Sequence, residues 1–236
     1  MKQRIELNYH IRFCHDSHAL KGAAELAHKN GIKAMALIDI NSVSRLSDFA
    51  AECSRAGIKP IFGAEIIHGD RNGSYPFSTR ILTENAAGFA NLSRIIDEVK
   101  FDGVCDCVPF ECLEKHHGNL LFGSGGTNGI IYRLFEFNIE EEIEAYADFY
   151  DYFEIENSLC SEKEREINRR IVQLAKKTGK PVVAVIGDRD KICPVFTAKE
   201  MLRQFSYLGK NDAYEAVIEN PYKVTQMIEG FYHSKP

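Results

Sequence analysis

A chain of 236 residues, with 44% hydrophobic and 27% charged residues, has the composition of a soluble globular domain with a full core. Its formal charge of −5 argues against nucleic-acid binding through bulk electrostatics, because neutralising phosphates requires concentrated Lys and Arg, and leaves a local basic strip as the alternative. Charged residues follow the first methionine, and no apolar run reaches about 18–20 residues, so we expect neither a secretory signal nor a membrane span. The expectation is one cytoplasmic domain over residues 1–236.

The seven cysteines are an odd number and are scattered along the chain, which indicates reduced thiols rather than disulfides. Three of them, Cys105, Cys107 and Cys112, lie within CDCVPFEC, and His116 and His117 follow. The C-x-C-x4-C spacing departs from the paired C-x2-4-C pattern of structural zinc sites. We predict ordinary thiols and keep a zinc site as the alternative.

The first third of the chain alternates strand-like and helix-like patterns. In order they are RIELNY, HALKGAAELAHKNG, KAMALIDI, SVSRLSDFAAECSRAG and IKPIFGAEII. The continuous apolar run in KAMALIDI is typical of a strand buried on both faces, and Gly31 and Gly57 end the two helices. This rhythm predicts parallel βαβ units.

The alternation continues through most of the remaining chain. The segments are STRILT, ENAAGFANLSRIIDEV, GNLLFGSGG, IEEEIEAYADFY, DYFEIE, SEKEREINRRIVQLAKKTG and KPVVAVIGD. A tail of short helices follows, divided by Gly209 and Pro221. About seven strand–helix units predict a TIM-like (β/α)7 barrel over residues 1–195, with the helices of residues 196–236 packed on it.

In such barrels the chemistry lies where the carboxyl ends of the strands converge on one mouth. Polar residues follow or end most of the predicted strands, which makes them the candidate site. They are Asn8, His10, Asp39, Glu65, Ser78, Ser124 to Gly126, Glu154, Glu156, Asp188 and Asp190.

Several stretches in order resemble the PHP domain, the polymerase and histidinol phosphatase family. They are ELNYH, AELAHKNGIKAMALIDI, GIKPIFGAEI and, above all, KEMLRQFSYLGKNDAYEAVIENPYKVTQMIE. The last is similar to the PHP domain of PolC-type bacterial DNA polymerase III alpha subunits. Those polymerases carry an exonuclease insertion after the strand matching IFGAEI, where this chain has only HGDRNGSYPF. The resemblance implies a distorted barrel of the PHP type.

The resemblance also implies a site for two or three divalent ions that hydrolyses phosphoesters. Four candidate ligands remain: His10, Asp39, Glu65 and, if the register of Gly187 to Asp190 slips by one residue, Asp188. Other residues occupy the positions of family ligands: Asn8, Ser17, Ile40, Ser78, Gly126 and Arg189. The resemblance therefore predicts either no metal or a single Mn²⁺ or Zn²⁺.

Three alternatives remain open for the mouth. His15, Asp16 and His18 can repair a metal site locally, since imidazole and carboxylate suit Zn²⁺ or Mn²⁺. Alternatively an arginine, with Arg189 as the candidate, replaces the metal by neutralising the remaining carboxylates. Arg189 and the glycine turn can also receive an anionic ligand.

These possibilities lead to two main functional hypotheses. The first is a non-catalytic PHP module that contacts replication proteins, with no strong nucleic-acid-binding signal of its own and no membrane partner. The second is a divalent-metal-dependent phosphoesterase, of the phosphatase or 3′–5′ exonuclease type, with a reduced site. A third hypothesis is a ligand-binding domain that binds its ligand at the mouth of the predicted barrel.

Overall fold

A computed structural model describes residues 4–10, 17–70, 76–101, 105–157, 161–187 and 195–229. The strands are β1 Glu6–Tyr9, β2 Ala34–Ile40, β3 Lys59–His68, β4 Phe77–Thr83, β5 Lys100–Phe101, β6 Asp106–Cys107, β7 Leu120–Gly123, β8 Phe153–Glu156 and β9 Val182–Val185. The α-helices are α1 Ser17–Lys29, α2 Leu46–Ala56, α3 Ala86–Asp97, α4 Phe110–Lys115, α5 Ile130–Phe137, α6 Ile143–Ala147, α7 Glu162–Thr178, α8 Ala198–Gln204, α9 Lys210–Tyr214 and α10 Asn220–Gln226. A π-helical turn, Glu215–Glu219, joins α9 to α10.

The central sheet has the order β1-β2-β3-β4-β7. Strands β1, β2 and β3 are parallel, as the βαβ pattern predicts, whereas β4 runs antiparallel to both β3 and β7. The reversal follows from the connection between β3 and β4, residues 69–76, which is too short for a crossover helix.

The remaining parallel pair, β8 and β9, lies beside this sheet. A single parallel bridge joins Gly123 to Tyr152, just before β8, and the Asn8 side-chain amide of β1 donates to the carbonyl of Ile186, just after β9. The described strands confirm a mixed α/β fold with a central sheet. They do not form the continuous closed ladder expected of a (β/α)7 barrel.

Side-chain alternation divides the core into layers. On β2, Met35 and Leu37 pack with α1 and α2, whereas Ala36 and Ile38 face a second apolar cluster. That second cluster draws on strands of both sheets and on the C-terminal helices. Its members include Leu7, Ile61, Leu82, Leu121, Tyr152, Val183, Val185 and Val224. The described C-terminal residues Val224 and Ile228 therefore pack against the strands.

Two helices were not predicted as separate elements, α4 and α5, because their apolar runs are short and nearly continuous. The predicted acidic helix IEEEIEAYADFY is a 3-10 turn followed by the short α6. In the part of the chain that the structure describes, no helix combines the length and apolarity needed to cross a bilayer.

Candidate functional site

A charged layer lies directly above the apolar cluster between the strands. Alternation from Ile61 on β3 leads to Glu65, from Leu82 on β4 to Arg80, and from Tyr152 before β8 to Glu154 and Glu156. The register pairs Glu65 directly with Arg80, so both side chains leave the same face of the sheet. All four charged residues of this layer, the Arg80 cluster, are buried.

One guanidinium holds the three carboxylates together. Nη2 of Arg80 donates to Glu156 Oε1 at 2.6 Å, and Nη1 donates to Glu154 Oε2 at 3.2 Å. The Nε of Arg80 lies 3.4 Å from Glu65 Oε2, an ion pair without hydrogen-bond geometry. The side chain of Arg80 is only 4% exposed, so solvent does not screen these contacts.

The charge of Arg80 is fixed by these contacts. Burial alone lowers the pKa of an arginine, but Glu154, Glu156 and Glu65 outweigh it and hold the pKa of Arg80 well above its ordinary value. For Glu154, burial outweighs the neighbouring charge of Arg80. Burial raises the pKa of that carboxyl to about 7, with Arg80 opposing the shift and Glu156 adding to it.

The glycine turn after β7 completes the cluster. The Gly125 amide donates to Glu154 Oε2 at 2.8 Å, and the Thr127 hydroxyl donates to Glu156 Oε2 at 2.8 Å. Gly126 has a φ of +58°, and a Cβ there would lie 2.1 Å from Glu156 Oε1. The turn is therefore built around carboxylates of this chain, and the Gly125 amide is already committed to one of them.

His10 and Asn8 border the cluster from β1. The Asn8 amide nitrogen donates to the Ile186 carbonyl at 3.0 Å, which fixes its oxygen toward His10. His10 Nε2 must then be the donor in its 2.7 Å contact with Asn8 Oδ1. The same nitrogen lies 3.5 Å from Glu65 Oε2.

Comparison of the chain with known proteins identifies its family. The PHP domain family profile matches residues 6–165. The chain belongs to the PHP domain family. It is 31% identical over 192 residues to the PolC-type DNA polymerase III of Caldanaerobacter subterraneus, and 29% identical over 192 residues to the DNA polymerase III alpha subunit of Pasteurella multocida. These alignments cover 65% and 74% of this chain but only 14% and 16% of the polymerases.

Solved structures with PHP-like folds are more distant in sequence. One is described as a putative metal-dependent phosphoesterase from Bifidobacterium adolescentis, with a TM-score of 0.52, 12% identity and coverage of 85% of this chain and 95% of that one. Another, from Bacteroides vulgatus, is a two-domain protein containing a predicted PHP-like metal-dependent phosphoesterase, with a TM-score of 0.51, 9% identity and coverage of 82% and 52%. At these identities the likeness supports the fold alone.

The donor atoms of this PHP domain do not fit a divalent cation at the Arg80 cluster. A cation would have to share Glu65, Glu154 and Glu156 with a guanidinium that is permanently charged and already bonded to them. His10 Nε2 also donates to Asn8 Oδ1 at 2.7 Å, so a cation bound at that nitrogen would have to break this contact.

The predicted ligands are only partly brought together. His10 Nε2 lies 3.5 Å from Glu65 Oε2, whereas Asp39 shares the β2 face of Met35 and Leu37, and its backbone forms an isolated β-bridge with Ser42. Asp188, Arg189, Asp190, His15 and Asp16 lie outside the described residues, so their predicted roles stay predictions. His18 is exposed on α1.

The positions of replaced ligands are occupied by structural residues. Ile40 pairs with Glu65 in the β2–β3 register, and the Ser78 hydroxyl donates to the Gly125 carbonyl at 3.5 Å. Ser17 begins α1. Gly126 leaves room for Glu156, so a ligand side chain at that position would displace the carboxylate.

The sequence left an arginine in place of the metal as one of three alternatives, with Arg189 as its candidate, and did not point to Arg80. The available signal was strand alternation in FSTRILT: Ser78 was recognised as the position of a lost ligand, and Arg80, two residues later, faces the same side. Glu154 and Glu156 were recognised as polar strand-end residues but were not assigned to the site.

Proposed function

We propose that this chain is a non-catalytic PHP domain of the bacterial DNA polymerase III type, in which the Arg80 guanidinium takes the place of metal ions and the fold serves as a contact module in DNA replication. The observation that carries the proposal is the contact of one buried arginine with Glu65, Glu154 and Glu156.

The charges of the cluster support a structural role for Arg80. Three carboxylates buried together repel one another, and a cation among them offsets this repulsion. Arginine meets this need without an exchangeable ion, because its planar fork contacts several carboxylate oxygens at once. Arg80 would therefore preserve the layer that metal ions would otherwise neutralise.

The same substitution removes the chemistry of a metal-dependent hydrolase. Metal ions generate hydroxide at neutral pH and neutralise phosphate oxygens, and a guanidinium does not lower the pKa of a bound water in that way. The cluster is also buried and filled by its own side chains. A reduced-site phosphoesterase is therefore the less favoured alternative.

We regard the two sheets as an interrupted, distorted TIM-like (β/α)7 barrel, in which β4 is reversed. The Gly123–Tyr152 bridge and the contact between Asn8 and Ile186 support this view, because they link the central sheet to β8 and β9 at both edges. The Arg80 cluster would then occupy the mouth.

Hydrolysis assays test the catalytic part. Phosphate release from an aryl phosphate and nucleotide release from 3′-labelled DNA are measured with Mn²⁺ and with Zn²⁺, in the unmodified chain and in Glu65→Gln. We expect both proteins to remain at the buffer background. Turnover that requires metal and disappears in Glu65→Gln would establish the phosphoesterase alternative instead.

Direct binding tests the scaffold part. The chain is immobilised and the purified DNA polymerase III alpha subunit of its own organism is passed over it, with Mn²⁺ or with a chelator. Saturable binding that is equal in both conditions is expected from a metal-free contact module. Absence of binding, or binding that requires the metal, would contradict the proposed role.

A further inference from the structure

A second group of metal-ligating side chains lies where α3 and α4 end. Glu98 follows α3, Cys112 lies on α4 and His116 ends α4, and their potential ligand atoms all lie within 4.8 Å of one another. We call these three residues the Glu98 cluster. It shares no residue with the Arg80 cluster.

Helix geometry positions two of the three ligands. The backbone amide of His116 donates to the Cys112 carbonyl at 3.3 Å, so the two residues are one helical turn apart and present their side chains on the same side. Glu98 reaches them from the end of a different helix. An i, i+4 pair with a third ligand from elsewhere in the chain is a common way to build a metal site.

The side chains already converge on a single point. His116 Nε2 lies 3.2 Å from Glu98 Oε1, and the Cys112 thiol hydrogen-bonds to the same carboxylate. These contacts, with His116 contributing most, hold the pKa of Glu98 below its ordinary value. Both other side chains therefore contact the Glu98 carboxylate.

We propose that Glu98, Cys112 and His116 bind one transition-metal ion of the Zn²⁺ class. Sulfur, imidazole nitrogen and carboxylate oxygen are the ligand set of zinc sites, and a water molecule would complete a tetrahedral shell. Binding releases the Cys112 thiol proton to solvent, so the thiolate and the carboxylate together balance the charge of the ion. Lys115, which lies 3.3 Å from Glu98 Oε1 with a side chain 66% exposed, would turn outward.

This site differs from the cysteine-rich alternative in the sequence. Of the three cysteines of CDCVPFEC, only Cys112 belongs to the cluster, because Cys107 lies in the β5–β6 ribbon and Cys105 just precedes it. His117 instead stacks on Phe122, with ring centroids 4.4 Å apart. The ion would tie the end of α3 to α4.

Cobalt substitution tests the site through a signal that only a thiolate ligand produces. Reduced, chelator-treated protein is titrated with Co²⁺, and we expect a near-ultraviolet thiolate-to-cobalt band that saturates at one equivalent and is displaced by Zn²⁺. Cys112→Ser should abolish the band. His116→Gln should weaken binding at least about tenfold, because loss of a direct ligand costs no less than loss of an outer-shell partner.

Cys53→Ser provides the matched control, since Cys53 is another buried free thiol and lies outside the cluster. The band should be unchanged in this variant. Absence of the band in the unmodified chain, or its persistence in Cys112→Ser, would overturn the proposal. If Cys112→Ser does not fold, equal Co²⁺ affinity of the unmodified chain and His116→Gln would overturn it. Neither outcome bears on the Arg80 cluster.

Discussion

Arg80 neutralises three carboxylates that would otherwise repel one another inside the fold. Its planar guanidinium offers five donors, whereas a lysine ammonium is a compact point charge that cannot extend to the same oxygens. The identity of this one side chain thus decides whether the cluster needs an ion.

Replacing Arg80 should be costly because it leaves buried carboxylates without a counter-charge. We expect Arg80→Met to lower the free energy of unfolding by about 3–5 kcal/mol, and Arg80→Lys to lower it by less. Urea unfolding at pH 8 is the measurement, since Glu154, with a pKa of about 7, is then ionised.

Arg55→Met is the matched control, because Arg55 is 69% exposed and pairs with Glu52 on the surface of α2. Its loss should change the free energy of unfolding by less than about 1 kcal/mol. An Arg80→Met variant as stable as Arg55→Met at pH 8 would contradict the assigned role of the guanidinium.

His68 gives the protein a separate response to acid. It is fully buried at the end of β3, where Nδ1–H donates to the Gly69 carbonyl and Nε2 accepts from the Thr79 hydroxyl. Burial lowers its pKa from 6.5 to about 4. Between these values the unfolded chain binds a proton that the folded chain does not, so stability present above pH 6.5 is lost as the pH falls toward 4.

The expected loss is on the order of 3 kcal/mol, and His68→Gln should remove this part of the pH dependence. Glu154 acts oppositely, because its raised pKa lowers stability as the pH rises from 4.5 to about 7. The quantity to measure is therefore the difference in unfolding free energy between the unmodified chain and His68→Gln at pH 4.5 and pH 7. A difference that is independent of pH would rule out His68 as the acid-sensitive group.

At the scale of elements, strand identity was predictable but strand direction was not. Apolar runs and glycine stops located β1 to β4 and their helices correctly. The antiparallel direction of β4 depends on the short connection over residues 69–76, and the alternation of strand-like and helix-like segments did not indicate it. That reversal sets the β3–β4 register, which places Arg80 beside Glu65.

The glycine turn after β7 is the element most closely fitted to the cluster. We expect Gly126→Ala to lower the free energy of unfolding by roughly 2–4 kcal/mol, because its Cβ would meet Glu156 and its φ is positive. Thermal or urea unfolding measures the effect.

Gly179→Ala serves as the control, since Gly179 has a φ of +71° but nothing within 4 Å of an added Cβ. The Gly179→Ala variant should lose only the free energy that a positive φ costs an alanine. Equal losses in the two variants would mean that the turn is not packed against Glu156.

For the whole molecule, the sequence identified the family and the mixed α/β fold, whereas the loss of family ligands stays a prediction. It did not identify which arginine compensates, because that depends on which strands lie next to one another in three dimensions. Arg80 and Glu156 are 76 residues apart in sequence and meet only through the placement of β4 and β8.

The most direct test of the metal-replacement claim is Mn²⁺ binding, measured by calorimetry on the unmodified chain, Glu65→Gln, Arg80→Ser and Arg80→Ser/Glu65→Gln. Mn²⁺ favours oxygen ligands over thiolate, so the Glu98 cluster contributes little to the signal. We predict no stoichiometric binding by the unmodified chain, and binding by Arg80→Ser that the added Glu65→Gln change removes. One equivalent of Mn²⁺ bound by the unmodified chain, and lost in Glu65→Gln alone, would contradict the claim.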